Sequence, residues 1–210
     1  MSMVELLEKG GVLMIPILVA SAVALAVFLE RLWTLRRHRV IPPGFVRAAL
    51  SLVQQRKFTE AESLCLENGS PFANMITSAL KHRGKRRELI KETMEETGEL
   101  EIADLERFTN VVSTVATVSP LLGLLGTVTG MIKVFKDVAS QPDPQINVLA
   151  GGIWEALITT AAGLSVAIPA YAMYRYLTSR VDRYSHELAE QGLRILELVD
   201  DQALGEREPR

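Results

Sequence analysis

The chain has 210 residues, of which 48% are hydrophobic, and its formal net charge is −2. A soluble domain of this length can have the same mean composition, so the average excludes neither a soluble protein nor a membrane protein. The distribution is more informative, because charged residues are almost absent from three stretches and crowded between them. Cys65 is the single cysteine, which excludes an internal disulfide, and we expect it to be a small buried residue.

The three stretches that are poor in charge are each long enough to cross a membrane. Residues 12–29 hold no charge over eighteen positions, about 27 Å of helix, and residues 111–132 hold none over twenty-two. Residues 148–177 hold only Glu155 and Arg175. Because a hydrocarbon core is about 30 Å thick, we predict an all-α membrane protein with three transmembrane helices.

Lysine and arginine predict the orientation of these spans. Fourteen of them lie from Arg31 to Arg107 and six from Arg175 to Arg210, which favours a cytoplasmic location for both regions. Basic residues follow the first apolar run rather than precede it, so an uncleaved anchor is favoured over a signal peptide. The N-terminus is therefore expected outside and the C-terminus inside. The expected order is a periplasmic tail (1–11), a span (12–29), a cytoplasmic helical region (30–108), a span (109–135), a periplasmic loop (136–147), a span (148–177) and a cytoplasmic helix with its tail (178–210).

The region between the first two spans predicts several helices. Residues 45–53 and 59–66 are expected to form a pair, residues 72–81 a third helix, and the charged stretch 86–108 a long helix that continues without a break into the second span. After the third span, apolar residues recur at alternating steps of four and three, which marks one packing face. This face packs either on the chain's own helices or on another subunit; its members are Leu177, Val181, Tyr184, Leu188, Ile195 and Leu198.

The second predicted span carries a stripe of small residues. Four of them fall within an arc of about 60° on a helix that turns 100° per residue: Ser119, Gly123, Gly126 and Gly130. Small side chains let another helix backbone approach closely in lipid, where packing has to replace the hydrophobic effect. Thr127 lies beside the stripe, and Pro120 is expected to kink the helix.

The third predicted span contains an acidic residue, Glu155, toward its outer end. Glu155 shares an arc of about 100° with Thr159, Ala162 and Gly163, and Thr160 lies about 60° further round. Gly163 is expected to be a helix-packing position. A carboxylate that faces lipid is costly. Glu155 therefore either faces a partner helix or a wet cavity, or reaches the headgroups from the end of its helix. Pro169 is expected to kink this span.

These polar residues could line a proton path, but they supply no central proton acceptor. Thr127, Thr159 and Thr160 can form hydrogen bonds and do not titrate near neutral pH. Either the chain conducts nothing, or another subunit supplies a carboxylate. The sequence shows no Ser/His/Asp arrangement, phosphate loop or paired carboxylates, and its three histidines have no ligand spacing. We therefore expect no enzyme activity, no metal site and no cofactor.

Two motifs point to a known family. Residues 119–131 read SPLLGLLGTVTGM, and residues 155–169 read EALITTAAGLSVAIP. They resemble the second-span and third-span motifs of the MotA/TolQ/ExbB proton-channel family, and the three spans resemble its ExbB/TolQ branch. Thr129 departs from the pattern, because the family often has tryptophan or an aliphatic residue there.

The resemblance implies a homopentamer in the bacterial inner membrane, whose second and third spans surround a central pore. The pore would hold helices of a single-span ExbD/TolR-like subunit with a titrating aspartate. Proton flow would then drive a TonB- or TolA-like periplasm-spanning protein for transport or envelope maintenance. By position, the family's pore threonines correspond to Thr127 and Thr160, and its third-span glutamate to Glu155.

Several alternatives remain beside this reading. The chain could be a non-conducting membrane scaffold or adaptor, and both an ExbB-type and a TolQ-type role stay open. Proton is the ion that the resemblance implies, although threonine hydroxyls suit sodium as well. Membrane lipid is an expected neighbour of the three spans, and no nucleic-acid partner is expected.

Overall fold

The computed structural model describes residues 11–140 and 146–205, with side chains described over 11–140 and 149–200. These residues form eight helices and no strand. Three of the helices, the first and the last two, are long and apolar enough to cross a membrane, which confirms the predicted fold class. Most of the predicted periplasmic tail and residues 141–145 of the predicted loop lie outside the described residues. The helices are α1 (Met14–Thr34), α2 (Arg37–Val40), α3 (Pro43–Gln54), α4 (Phe58–Asn68), α5 (Pro71–Lys81), α6 (Arg87–Glu106), α7 (Thr109–Ser140) and α8 (Ile146–Gly205).

The chain divides into two compact units. The apolar unit comprises the residues through Arg31 together with Phe108–Leu177, and so contains most of α1, all of α7 and the first half of α8. The polar unit comprises Leu32–Arg107 together with the residues from Thr178 on, and so contains α2 to α6 and the second half of α8.

Local sequence signals set the helix ends in the polar unit. Ser70 caps α5, because its Oγ accepts a hydrogen bond from the backbone N–H of Ala73 at 3.3 Å, and Pro71 occupies the first helical position. Helix α4 ends at Gly69, whose φ of 59° lies in the left-handed region that glycine adopts without strain. Helix α5 then buries Phe72 completely in the core of the unit.

The packing face on the second half of α8 lies against this chain's own helices. The four residues of that face from Val181 to Ile195 are all buried within the polar unit: Val181, Tyr184, Leu188 and Ile195. The Tyr184 hydroxyl donates a 2.7 Å hydrogen bond to the backbone oxygen of Leu35, which is also buried. Of the two readings of this face, packing within one subunit therefore accounts for these residues.

The prediction of one continuous helix through residues 86–108 into the second span is wrong. Helix α6 ends at Glu106, Arg107 takes an extended conformation with ψ of 137°, and Phe108 takes a left-handed one with φ of 66°. The Phe108 ring then lies 5.2 Å, centroid to Cζ, from the guanidinium of the buried Arg31. The break thus places an aromatic ring against a buried cation of α1.

We expect Cys65 to react slowly with thiol reagents in the folded protein. Burial raises the pKa of its thiol from 9.0 to about 11. A hydrogen bond with Thr77 lowers the pKa, but this effect is smaller than that of burial. The thiolate fraction at neutral pH is then lower by about 100-fold, in addition to the loss of access. Alkylation followed by mass spectrometry, with and without denaturant, measures this difference. Equal rates in the two conditions would contradict a buried thiol.

Candidate functional site

Helices α7 and α8 meet in an antiparallel seam within the apolar unit. Along α7 the contacts run from Ser119 to Val134, while along α8 they run in the opposite direction, from Gly163 to Gly152. The four residues of the predicted stripe are all buried in this seam: Ser119, Gly123, Gly126 and Gly130. The structure thus brings the small residues of the second span together with Gly163 of the third.

The seam has no room for β-carbons at its glycine positions. A Cβ at Gly163 would stand 2.5 Å from the backbone oxygen of Ser119, and one at Gly123 would stand 2.9 Å from the Cα of Thr160. Real Cβ atoms almost never come within 3.0 Å of such neighbours. Because both neighbours are backbone atoms, side-chain movement cannot relieve either contact. Ser119 Oγ is buried with no hydrogen-bond partner among the described residues, so we attribute its place in the seam to its small size.

Thr160 links the two helices directly. Its hydroxyl donates a 2.7 Å hydrogen bond to the backbone oxygen of Gly123, a carbonyl on the facing helix. Such bonds between membrane helices contribute about 0.6 kcal/mol on average, and at most about 1.7 kcal/mol. The missing side chain at Gly123 is what allows the hydroxyl to reach this oxygen.

Thr127 and Thr159 occupy different environments. Thr127 is half-buried, and its hydroxyl donates a 2.7 Å hydrogen bond to the backbone oxygen of Leu124 on its own helix. Thr159 is 1% exposed, and its hydroxyl donates to the backbone oxygen of Glu155 at 2.9 Å. Its side chain occupies the space over Gly126. The seam therefore buries Thr159 and leaves Thr127 partly accessible.

Glu155 pairs with Lys133, a residue that no motif in the sequence singles out. Lys133 Nζ of α7 lies 3.5 Å from Glu155 Oε1 of α8, with the two side chains 68% and 36% exposed. A pair this exposed contributes only about 0–1 kcal/mol in water. A third segment approaches the same carboxylate: a Cβ at Gly11 would stand 2.6 Å from Glu155 Oε1. The φ of Gly11 is +68°, which also favours glycine.

These groups border a cavity of about 290 Å³, which we call the loop-end cavity because it lies where α7 approaches its end and α8 has begun. Its polar wall consists of Thr129, Lys133, Glu155 and Thr159. Among the described lining residues, Lys133 and Glu155 are the ionisable ones, so their charges cancel. Glu155 thus lines a cavity near the beginning of α8, with its side chain 36% exposed.

The remaining predicted residues and sites are located as follows. Pro120 and Pro169 both lie inside helices that continue past them, so their predicted role as kinks stays a prediction. A larger cavity of about 610 Å³ lies within the polar unit, on an apolar floor of Met75, Met94 and Leu188. It contains none of the predicted site residues. In the described ranges, no group of three or more His, Cys, Asp or Glu side chains is placed to hold a metal ion.

Comparison with known proteins agrees with the two motifs. Residues 67–190 match the family model described as the MotA/TolQ/ExbB proton channel family. The matched range contains all of α7, which carries the small-residue stripe, and the part of α8 that carries Glu155 and Thr160.

Individual relatives carry names from the same family. An ExbB-like biopolymer transport protein of Synechocystis sp. is 37% identical over 180 residues, which cover 81% of this chain and 68% of the relative. The biopolymer transport protein exbB1 of Vibrio cholerae is 29% identical over 190 residues, which cover 87% of this chain and 82% of the relative. The Tol-Pal system protein TolQ of Haemophilus influenzae is 44% identical over 82 residues, 39% of this chain and 36% of the relative.

Replacing Gly163 by alanine is expected to destabilise the seam. The new methyl group would meet the backbone oxygen of Ser119, and overpacking of this kind costs about 1–3 kcal/mol. Gly151→Ala, on the same helix, is the matched control, since a Cβ there has no neighbour within 4 Å. The control should be neutral or stabilising by up to about 1 kcal/mol, because alanine favours helix. Unfolding of both variants in detergent measures the difference, and equal stabilities would contradict close packing at Gly163.

Proposed function

Because the chain belongs to the MotA/TolQ/ExbB proton channel family and has three apolar helices, it is a multi-pass membrane protein, and we propose that it is the pore and scaffold subunit of a complex driven by the proton-motive force. In this proposal it lies in the bacterial inner membrane and catalyses no reaction. It forms a homopentamer around helices of a single-span ExbD/TolR-like subunit. The complex drives a TonB- or TolA-like protein for transport or envelope maintenance.

The observation that carries the proposal is the α7–α8 seam. The seam holds Thr160 by a hydrogen bond and buries Thr159, whereas Thr127 stays partly accessible. Thr160 is held against Gly123 of the facing helix, so the two spans act as one packed pair. Thr127 lies just beside the buried stripe, and its hydroxyl proton is bound to a carbonyl of its own helix. The lone pairs of that oxygen can accept a hydrogen bond from a neighbouring chain. An accessible hydroxyl on a rigid helix pair is what a polar pore wall requires.

The distribution of carboxylates supports a second subunit. Within residues 111–132 and 149–174, Glu155 is the one acidic residue, and its carboxylate is paired with Lys133 at the end of the seam. Threonine hydroxyls can relay a proton but cannot hold one near neutral pH. A proton path along this seam therefore needs a titrating group from another chain.

Apolar side chains exposed on the spans indicate surfaces that require lipid or protein neighbours. Helix α7 exposes Ile132 and Phe135, and α8 exposes Leu157 and Ile168, each by more than half of its surface. Lipid tails and helices of further subunits both cover such surfaces in membrane assemblies. The chain thus has apolar area for a multi-subunit complex as well as for the bilayer.

Native mass spectrometry of the detergent-solubilised protein tests the assembly. The chain is expressed alone and together with a single-span, aspartate-bearing subunit of the ExbD/TolR kind. We expect a five-fold assembly that retains a smaller number of partner chains. A monomer or dimer that retains no partner would remove the central pore and favour the non-conducting scaffold.

Thr127→Val tests the proton path with little effect on stability. The lost hydrogen bond joins the side chain to its own helix, so the unfolding free energy should change by less than about 1 kcal/mol. Proton flux through the reconstituted complex should fall by about tenfold or more, because a methyl group cannot relay a proton. Thr160→Val should reduce flux as well, and Thr160→Ser, which keeps the donor to Gly123, should restore it.

Thr114→Val is the matched control for the flux experiment. Its hydroxyl makes the same kind of bond, to the backbone oxygen of Asn110 at 2.8 Å, and it lies about 140° around α7 from Thr127. This variant should keep normal flux. Unchanged flux in both Thr127→Val and Thr160→Val, within correctly assembled complexes, would overturn the conducting role.

A further inference from the structure

We infer that the Lys133 ammonium is a built-in counter-ion for Glu155 that excludes sodium and other monovalent metal ions from the loop-end cavity. Lys133 would thereby be a specificity-determining residue that favours protons over metal cations along this seam. Its importance for ion flow rests on the proposed function, whereas the exclusion of metal ions is a property of this chain alone.

The cavity has the oxygen ligands that a hard cation prefers. Glu155 and two residues with hydroxyl side chains, Thr129 and Thr159, all line it. Each hydroxyl already donates its proton to a carbonyl of its own helix, Thr129 to Leu125 at 2.9 Å and Thr159 to Glu155 at 2.9 Å. Their oxygen lone pairs are therefore the part of each hydroxyl that is left to act as a ligand. Carboxylate and hydroxyl oxygens together make a chemically suitable cation site.

Lys133 places a positive charge beside this carboxylate. Its Nζ lies 3.5 Å from Glu155 Oε1, so the carboxylate already faces a positive charge. Among the described residues that line the cavity, these two groups are the ionisable ones, and the wall carries no net charge. A metal ion would have to displace the ammonium while staying within a few ångströms of it, and the repulsion between the two cations opposes that.

Gly11 limits the space around the Glu155 carboxylate. The backbone at Gly11 lies so close to Glu155 Oε1 that a Cβ would stand 2.6 Å from this oxygen. One side of the carboxylate is therefore covered by main chain.

Sodium-dependent thermal stability of the full chain in detergent tests the inference. The unfolding midpoint is measured in sodium chloride and in choline chloride at equal ionic strength. The wild-type protein should show the same midpoint in both salts. Lys133→Met removes the ammonium and keeps the length of the side chain, so sodium should now stabilise the protein. When the sodium concentration is roughly five times the dissociation constant, sodium binding should raise the unfolding midpoint by about 2–4 °C.

Three controls identify the site. Lys133→Arg keeps the positive charge, and Lys136→Met removes a lysine that does not line the cavity, so neither should respond to sodium. In Lys133→Met combined with Glu155→Gln the carboxylate is absent, and the sodium response should disappear. If Lys133→Met fails to fold, Lys133→Gln is the substitute.

The inference is overturned by a sodium response of the wild-type protein, by no response in folded Lys133→Met or Lys133→Gln, or by a response that survives Glu155→Gln. The experiment needs neither the partner subunit nor proton flux. A sodium response in Lys133→Met with unchanged flux in Thr127→Val and Thr160→Val would reject the proposed function and keep this inference. If Lys133→Met shows no sodium response while Thr127→Val and Thr160→Val reduce proton flux, this inference is rejected and the proposed function is kept.

Discussion

Close approach of the α7 and α8 backbones determines the geometry of the apolar unit. At position 163 only a hydrogen atom fits between the two helices, because a β-carbon would meet a carbonyl oxygen of the facing helix. Hydrocarbon tails are as apolar as leucine, so two helices in lipid gain little from burying apolar surface and depend on packing and hydrogen bonds instead. The bond from Thr160 to the Gly123 oxygen needs this close approach. So does the pairing of Lys133 with Glu155, since the same antiparallel register places those residues opposite each other.

The small-residue stripe of α7 could be predicted from the sequence because it follows from helix periodicity alone. Small residues three and four positions apart fall on one face of any helix, so Ser119, Gly123, Gly126 and Gly130 had to share a side. The identity of the facing helix, and its register, could not be derived in this way. They depend on which residues of α8 fit between the glycines. Gly163 is expected from the sequence to be a packing position, but its contact with Ser119, and that of Thr159 with Gly126, emerge only when both helices are placed together.

Two features carry no local sequence signal. The break at Arg107 and Phe108 contains neither glycine nor proline, and its left-handed residue is an aromatic one. Its physical reason is tertiary, because the break brings the Phe108 ring against the buried Arg31, which lies more than seventy positions earlier in the chain. The pairing of Lys133 with Glu155 could not be predicted for a similar reason. At the end of an apolar run a lysine predicts a boundary, and its pairing with Glu155 depends on the register of the seam.

The cost of placing a charge in a bilayer accounts for the position of the one carboxylate in the seam. An acidic residue near the middle of a bilayer costs about 3 kcal/mol on insertion scales, and the cost falls toward the ends of the helix. Glu155 lies near the beginning of α8, where Lys133 compensates its charge and the main chain at Gly11 covers it. The middle of the seam then needs only glycines and hydroxyls, which a helix pair can bury at little cost. Between its ends the seam offers a crossing proton hydroxyl groups but no carboxylate, and Glu155 at one end is paired with Lys133. In the proposed complex, the titrating group of a proton path along the seam is therefore supplied by a chain packed against it.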